Sequence, residues 1–463
     1  MECFCVNSQE IEKRIDPHFY RPEFIEFYEK LEKTEFEFKT IGEISEKVTS
    51  GATPLSKGDS YITQEEGIPF IRSGDINEDK NINFDEVLYI KNEIHDKKLK
   101  GSKLKKGDIL IAIVGATIGQ VSLYDYDKEA NINQAIALVR LSKEVNPEYV
   151  KAFMISTVGQ RQLDRIKRPV ARANINLDEI RGINIILPSL EIQNKIVSLM
   201  DNAYKEQKTK EKKVGEFLDS INDYVLDELE IKLPELKDKM TYVVGSEEVK
   251  NNRCDAYYFQ PKFEVVEKAV NEGRFDVKPL KDFITKIHYG ASVKNEYVDE
   301  GIPLLRILNL KPNRFELKNV VKLPESMKKD LGNAFVMEGD LLISRSGTVG
   351  IVSVVPKEAN GFAFGSFMIK FCLDEKINKH YVSAWLNTKL QKLFIEREKI
   401  GAIQGNITIG TIESFKIPLP PLSVQNKIAD EVKRKMQKAE SLQKEAKEEL
   451  KKAKLEVEKI ILG

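Results

Sequence analysis

The 463-residue chain lacks most of the features that would mark a membrane protein, a secreted protein or a self-sufficient enzyme. No window holds the roughly 18 uninterrupted apolar residues that a membrane helix needs. The longest candidate, Ile109 to Gly119, is short and reads as buried strand. Met1 to Arg14 has no apolar stretch of the signal-peptide kind, so the chain is expected in the cytoplasm with no membrane contact. Cysteine is scarce: Cys3, Cys5, Cys254 and Cys372. Cys3-Phe4-Cys5 is at most half of a metal site, and no second pair completes it, so reduced thiols are expected. His18, His95, His288 and His380 are scattered, without HxH or HExxH spacing. An excess of charge is also missing, because 73 Lys and Arg balance 73 Asp and Glu. That excludes a featureless basic coat for DNA. It leaves sequence-specific DNA binding open, since the local field decides that and acidic helices can cancel basic faces.

Catalytic signatures are absent too. There is no GxxxxGK[ST] loop and no GxGxxG. Gly115 to Gly119 and Gly347 to Gly350 lack the lysine of a phosphate loop and read as hairpin or strand-exit turns. A DNA amino-methyltransferase would carry an Asn/Asp-Pro-Pro-aromatic loop; Leu419-Pro420-Pro421 is instead the start of a helix. Glu37-Phe38-Lys39 and Glu248-Val249-Lys250 are fragments of a nuclease carboxylate set, and such triplets arise freely when 32% of residues are charged. No catalytic residue, metal or cofactor is assigned to this chain.

What the sequence does contain is itself, twice. Glu66-Gly67-Ile68-Pro69 through Arg72 recurs as Glu300-Gly301-Ile302-Pro303 through Arg306, and Gly107-Asp108-Ile109 as Gly339-Asp340-Leu341. Asn174-Ile175 matches Asn406-Ile407, and Leu187-Pro188-Ser189-Leu190 through Ile196 matches Leu419-Pro420-Pro421-Leu422 through Ile428. Asp16 through Pro22 likewise matches Asp255 through Pro261. These collinear matches establish a tandem duplication.

Each half opens with about 170 residues of mixed α/β character. Ile109 to Val114 and Leu341 to Ile343 read as strands after Gly-Asp turns, as do Asn133 to Leu141 and Phe367 to Phe371. Tyr149 to Ile166 and Lys379 to Arg397 are predicted helical. Each half then closes with a heptad-like stripe: Ile192, Ile196, Leu199, Ala203, then Val214, Phe217, Ile221, Val225 in the first. The second runs Val424, Ile428, Val432, Met436, then Ala446, Leu450, Ala453, Val457, Ile460. A mean spacing near 3.5 predicts two long helices that pack on each other, with the contact loosening at the polar stretch Lys205 to Lys213.

Basic residues concentrate in two places. One is Lys97 to Lys106, equally well a solvated face; the other is Arg161, Arg165, Lys167, Arg168 and Arg172, ending at Asn174. The second half answers with Lys389, Lys392, Arg397 and Lys399, then Gln404 and Asn406. Lys and Arg neutralise phosphates, while Arg, Asn and Gln can read base edges. Between matching framework segments the loops diverge. Thr53 lies in one such loop, Arg72-Ser73-Gly74-Asp75 faces Arg306-Ile307-Leu308-Asn309, and Val114-Gly115 faces Arg345-Ser346-Gly347. One scaffold with two loop sets suits two readers of different short sequences, although neutral drift would look the same.

With these features the chain resembles the specificity subunits of type I restriction-modification enzymes along nearly its whole length. The doubled Leu-Pro-x-Leu-x-x-Gln-Asn-Lys-Ile motif is the most specific mark, supported by the Gly-Ile-Pro and Gly-Asp turns. The resemblance implies an α+β fold with a pseudo-two-fold repeat: two tandem mixed α/β target-recognition domains, separated by long helices that pair as an antiparallel coiled coil. The expected division is residues 1–186 and 233–418 for recognition, 187–232 and 419–463 for the helices. It implies a non-catalytic subunit in which each domain reads half of a split, asymmetric site on double-stranded DNA, and the helices set the gap. Its partners would be two methyltransferase subunits and, through the complex, restriction and translocase subunits. S-adenosylmethionine, ATP and Mg²⁺ would belong to those partners. A stand-alone DNA-binding regulator or anti-restriction protein is the alternative, and a scaffold without DNA affinity a more distant one. Residues favoured for groove contacts are Arg72, Ser73, Arg345 and Ser346, backed by Thr53, Arg161, Arg165, Lys167, Arg168, Arg172, Asn174, Arg306, Asn309, Gln404 and Asn406.

Overall fold

A computed structural model describes residues 4–5, 11, 14–54, 60–76, 82–84, 86–168, 174–232, 234–251, 255–294, 296–399 and 405–462. The chain divides into two compact units. The first comprises residues 1–210 and 444–463, the second 211–443.

In the first unit four antiparallel strands lie in the order Ser45–Ser50, Ile136–Leu141, Asp108–Ala112, Val121–Tyr124. The apolar run from Ile109 is continuous because both sheet faces are covered. Side chains alternate, so Ile109 and Ile111 join the large cluster under the helices, while Leu110 joins Ile71, Tyr124, Ile132 and Leu138 on the other face. A second sheet orders Tyr61–Ile62, Leu88–Ile90, Ile68–Ile71 and Asn131–Ile132, the last pair parallel. The strand expected over Asn133 to Leu141 starts only at Ile136, and the short strand Asn131–Ile132 just before it serves the other sheet.

The second unit repeats this. Its main sheet orders Ile284–Tyr289, Met368–Leu373, Leu341–Ser344, Val352–Val354, with a register shift after Ile284 like the one after Ser45. Leu341 and Ile343 face one cluster and Leu342 the other. Its smaller sheet orders Val321–Leu323, Ile302–Leu305, Ala363–Phe364, the last pair parallel. The glycine segments are hairpin turns, as read: Gly115, Gly119, Gly347 and Gly350 all have φ between 75° and 89°, a region closed to most side chains.

Each predicted helix after the sheet is two. Pro147–Ile155 breaks at Ser156, whose Oγ accepts from the Gly159 amide to start Thr157–Ile166. A Cβ on Gly159 would stand 2.5 Å from the Met154 Cα, so the corner needs glycine. Lys379–Leu386 and Lys389–Glu398 break likewise at Thr388, which caps Gln391.

The long helices are Leu190–Glu228, 39 residues, and Leu422–Leu462, 41 residues, each about 60 Å at 1.5 Å per residue. The doubled Gln of the motif starts both: Gln193 donates to the Pro188 carbonyl (3.0 Å) and Gln425 to Pro420 (2.8 Å). In the second unit Lys427 pairs with Glu228 (2.7 Å) and Lys435 with Ser220 (2.8 Å), so the segments run antiparallel. In the first unit Ile196, Met200 and Ala203 share a cluster with Ala453, Val457 and Ile461. Met200 takes the inner place expected of Leu199, because a step of four from Ile196 stays on the stripe. At the polar stretch apolar packing gives way to ion pairs, Lys210 meeting Glu449 (2.6 Å) and Glu445 (3.5 Å).

Candidate nucleic-acid interface

In the first unit the loops leaving the strands are tied together by main-chain bonds. Gly51 N–H donates to Asn133 O (3.2 Å), Asn133 N–H to Ile71 O (3.0 Å), Ile113 N–H to Ala135 O (2.8 Å) and Ile175 N–H to Ile113 O (2.9 Å). Gly51 allows the approach, since a Cβ there would lie 1.7 Å from the Ile132 oxygen. This cluster gathers Thr53, Arg72, Ser73 and Asn174. Thr53 bonds to Gln134, a residue the sequence reading missed because its neighbour lies far along the chain. Arg72 donates from Nε to Asp75 (3.2 Å) and from Nη2 to both Asp75 (2.8 Å) and the Glu86 carbonyl (3.0 Å).

The neighbouring basic set is occupied internally. Arg161 meets Glu458 (3.0 Å), Lys167 meets Asp164 (2.5 Å), and Arg168 forks onto Glu179 (2.9 and 2.7 Å) while reaching Asn174 (3.5 Å). Arg165 lies over Phe19 (3.9 Å) and Tyr28 (4.2 Å) and donates to the Phe19 carbonyl (3.2 Å). Arg397 does the same in the second unit, over Tyr258 (4.5 Å) and onto its carbonyl (3.2 Å). A contact repeated in both units is a fold contact, holding the aromatic segment near residue 20 or 258 to the second helix after the sheet. Along Lys97 to Lys106 the exposed charges also find partners, Lys97 on Glu93 and Lys106 on Asp125. Arg172 lies outside the described residues.

The second unit builds the same cluster from different side chains. Gly290 N–H donates to Met368 O (3.1 Å), Gly365 N–H to Leu305 O (3.1 Å), Arg345 N–H to Phe367 O (2.9 Å) and Ile407 N–H to Arg345 O (3.1 Å). Gly290 mirrors Gly51, with a Cβ position 2.2 Å from the Gly365 oxygen. Arg306, Asn309, Arg345, Ser346 and Asn406 come together here, Ser346 bridging to Asn406 as Val114 does to Asn174. Arg306 N–H donates to Asn309 (2.9 Å), and Asn309 and Ser346 are buried. Gln404 lies outside the described residues.

At the other end of the central strand from each cluster stands a buried carboxylate from the Gly-Asp turn. Asp108 takes a fork from Arg140 (2.8 and 2.7 Å). Asp340 has Lys370 (3.0 Å) and the Cys372 thiol (3.0 Å) in its place. Burial pushes the Asp340 carboxyl up, but Cys372, the Met337 amide and Lys370 together hold it below the usual carboxylate value. Burial and the carboxylate push Cys372 up to about 11. Among the described residues no group of three or more His, Cys, Asp or Glu is placed to hold a metal ion.

Two scaffolds of one design, each ending in a loop cluster of its own chemistry and joined through paired helices, define a tandem recognition protein. The family described as "Type I restriction modification DNA specificity domain" matches residues 33–215 and again 272–452. The protein named as the MjaX type I restriction enzyme specificity subunit, from Methanocaldococcus jannaschii, is 26% identical across 95% of this chain and 97% of that relative. The EcoBI specificity subunit of Escherichia coli is 34% identical over 162 residues, about a third of either chain. A chain from a structure of type I R-M complex assembly and conformational transition shares the fold at 14% identity, TM-score 0.50, covering 92% of this chain and 96% of that one. The S subunit of a type I system from M. genitalium superposes at TM-score 0.43 with 14% identity, over 93% and 96%. This chain belongs to the family of type I restriction-modification DNA specificity subunits, which recognise DNA and are not catalysts.

Proposed function

We propose that each unit reads one half of a split, asymmetric site on double-stranded DNA, and that the paired helices set the distance between the halves. Residues 1–186 and 233–418 are the readers, and 187–232 with 419–463 the spacer, which also docks two methyltransferase subunits. Restriction and translocase subunits join through that complex, which acts on DNA in the cytoplasm. S-adenosylmethionine, ATP and Mg²⁺ serve those partners.

The observation that carries this reading is the doubled loop cluster: a main-chain bonding pattern that matches in three of its four bonds and presents different side chains. Two copies of one reader on one chain suit a site whose halves differ. Single-molecule methylome sequencing of a host with and without this gene, its methyltransferase retained, tests it. Loss of methylation at one bipartite motif is expected. An unchanged methylome beside an active methyltransferase would defeat the proposal.

A further inference from the structure

The second unit carries a set of residues that the first does not. Arg306 occupies the position of Arg72, but the residue three further on is Asn309 instead of Asp75. Asp75 grips the Arg72 guanidinium at Nε and Nη2. Asn309 spends its amide on the Arg306 N–H (2.9 Å) and the Glu316 carbonyl (2.9 Å), leaving nothing for the guanidinium. Arg306 keeps one long bond, Nη2 to the Asn319 carbonyl (3.4 Å), and its buried Nε has no hydrogen-bond partner among the described residues. Arg345, standing where the first unit has Ile113, also has a buried and unpartnered Nε.

Both guanidinium groups lie over tyrosine rings that orient them, Arg306 at 5.5 Å from Tyr297 and Arg345 at 4.7 Å from Tyr289. Beside them Leu308 is 66% exposed and Phe367 52%, where the first unit has Gly74 and Ala135. The two loops lie side by side: Ile307 Cδ1 is 3.7 Å from the place where a Cβ on Gly347 would sit.

Apart from the long Nη2 bond of Arg306, the outer Nη groups of both arginines have no protein acceptor among the described residues, and an exposed leucine and phenylalanine stand at the same spot. One ligand relieves both: a surface with paired acceptors beside a methyl group. In the major groove those are guanine N7 and O6, which accept an arginine fork, and the thymine methyl. A phosphate would also take the fork but offers nothing to Leu308 and Phe367.

We propose that the second unit reads guanine through Arg306 and Arg345, held on Tyr297 and Tyr289, and thymine methyl groups through Leu308 and Phe367. The first unit, with its arginine locked by Asp75, reads through small polar side chains. The inference rests on the reading that each unit recognises half of a DNA site.

The test uses the full chain with its methyltransferase in a host strain and reads the methylated motif. Arg345→Ala, or Asn309→Asp, which supplies Arg306 with the carboxylate it lacks, is expected to relax a G·C position in one half only. The discrimination lost should be about five- to hundredfold, the worth of one bidentate contact. Leu308→Ala with Phe367→Ala should relax a T position in that same half. On a duplex carrying the motif, uracil in place of that thymine should weaken the intact complex about three- to fivefold, the worth of one methyl. The Leu308/Phe367 variant should not respond to the exchange. Arg345→Lys, which keeps the charge without the fork, covers the case in which the alanine variant does not fold. An unchanged motif, an affected half without G·C, or uniform weakening at all positions would overturn this inference and leave the two-reader function standing. No gene-dependent motif at all would overturn both.

Discussion

Asp108 and Asp340 hold the same turn in the two units and are neutralised by different cations, a fork of arginine in one and a lysine with a thiol in the other. Because each is buried with its partner, removing either partner strands a charge. Asp340→Ala should cost about 3–5 kcal/mol in the second unit by denaturant unfolding. Its sign with pH follows from its lowered value: the contribution is fully present above the unfolded carboxylate value near 3.8 and fades as pH falls through the lower folded one. Asp340→Asn should therefore flatten the acid limb of the stability curve below about pH 4; an acid limb unchanged from the parent would show that Asp340 is not so held. Cys372, pushed up to about 11, should alkylate far more slowly at neutral pH than exposed Cys5. Arg165 and Arg397 belong at this scale too. Arg165→Ala or Arg397→Ala should lower stability by about 1–3 kcal/mol, through lost ring stacking and a lost carbonyl bond, while the recognised motif stays the same. A relaxed motif at full stability would make these arginines DNA contacts after all.

Among the elements, the long helices carry the most direct geometric consequence. Removing about one turn within residues 192–229 takes out roughly 5.4 Å of helix, comparable with one to two base-pair steps of 3.4 Å. The spacer of the methylated motif should shorten accordingly, or methylation should fail. A full-strength motif with its original spacer would remove the helices from the measuring role. Gln425→Ala should cost about 1 kcal/mol or more, since it leaves the Asn378 amide and the Pro420 carbonyl without their bond at the helix start. The strands show why their sequence reads as unbroken apolar runs: Ile109, Leu110 and Ile111 all go to zero or near-zero exposure because alternate residues serve two different cores.

For the whole molecule, the expectation is independence of the two readers. Ser73→Ala with Asn174→Ala in the first unit and Arg345→Ala in the second should blur opposite halves of one motif, read by methylome sequencing. If both blur the same half, the halves are not divided between the units. A scaffold fixed in its main chain and free in its loops can change what one unit reads without disturbing the other, since the cores of the two units are separate clusters.

The sequence by itself determined the duplication, the long helices and the strands of the Gly-Asp turns, because periodicity and turn chemistry are local and each is written twice. It also placed Thr53, Arg72, Asn174, Arg306, Arg345 and Asn406 in the loops that do converge. It could not foresee the corners at Ser156 and Thr388, where caps compete with a continuing stripe. Nor could it tell an arginine at work inside the protein from one turned outward. Arg161, Arg165 and Arg168 read from the sequence as a phosphate-binding set, and folding gives each an internal partner in Glu458, Phe19 and Glu179. Only the tertiary structure decides which charges are already answered, because an ion pair depends on partners that the chain brings together from as far as 297 residues away.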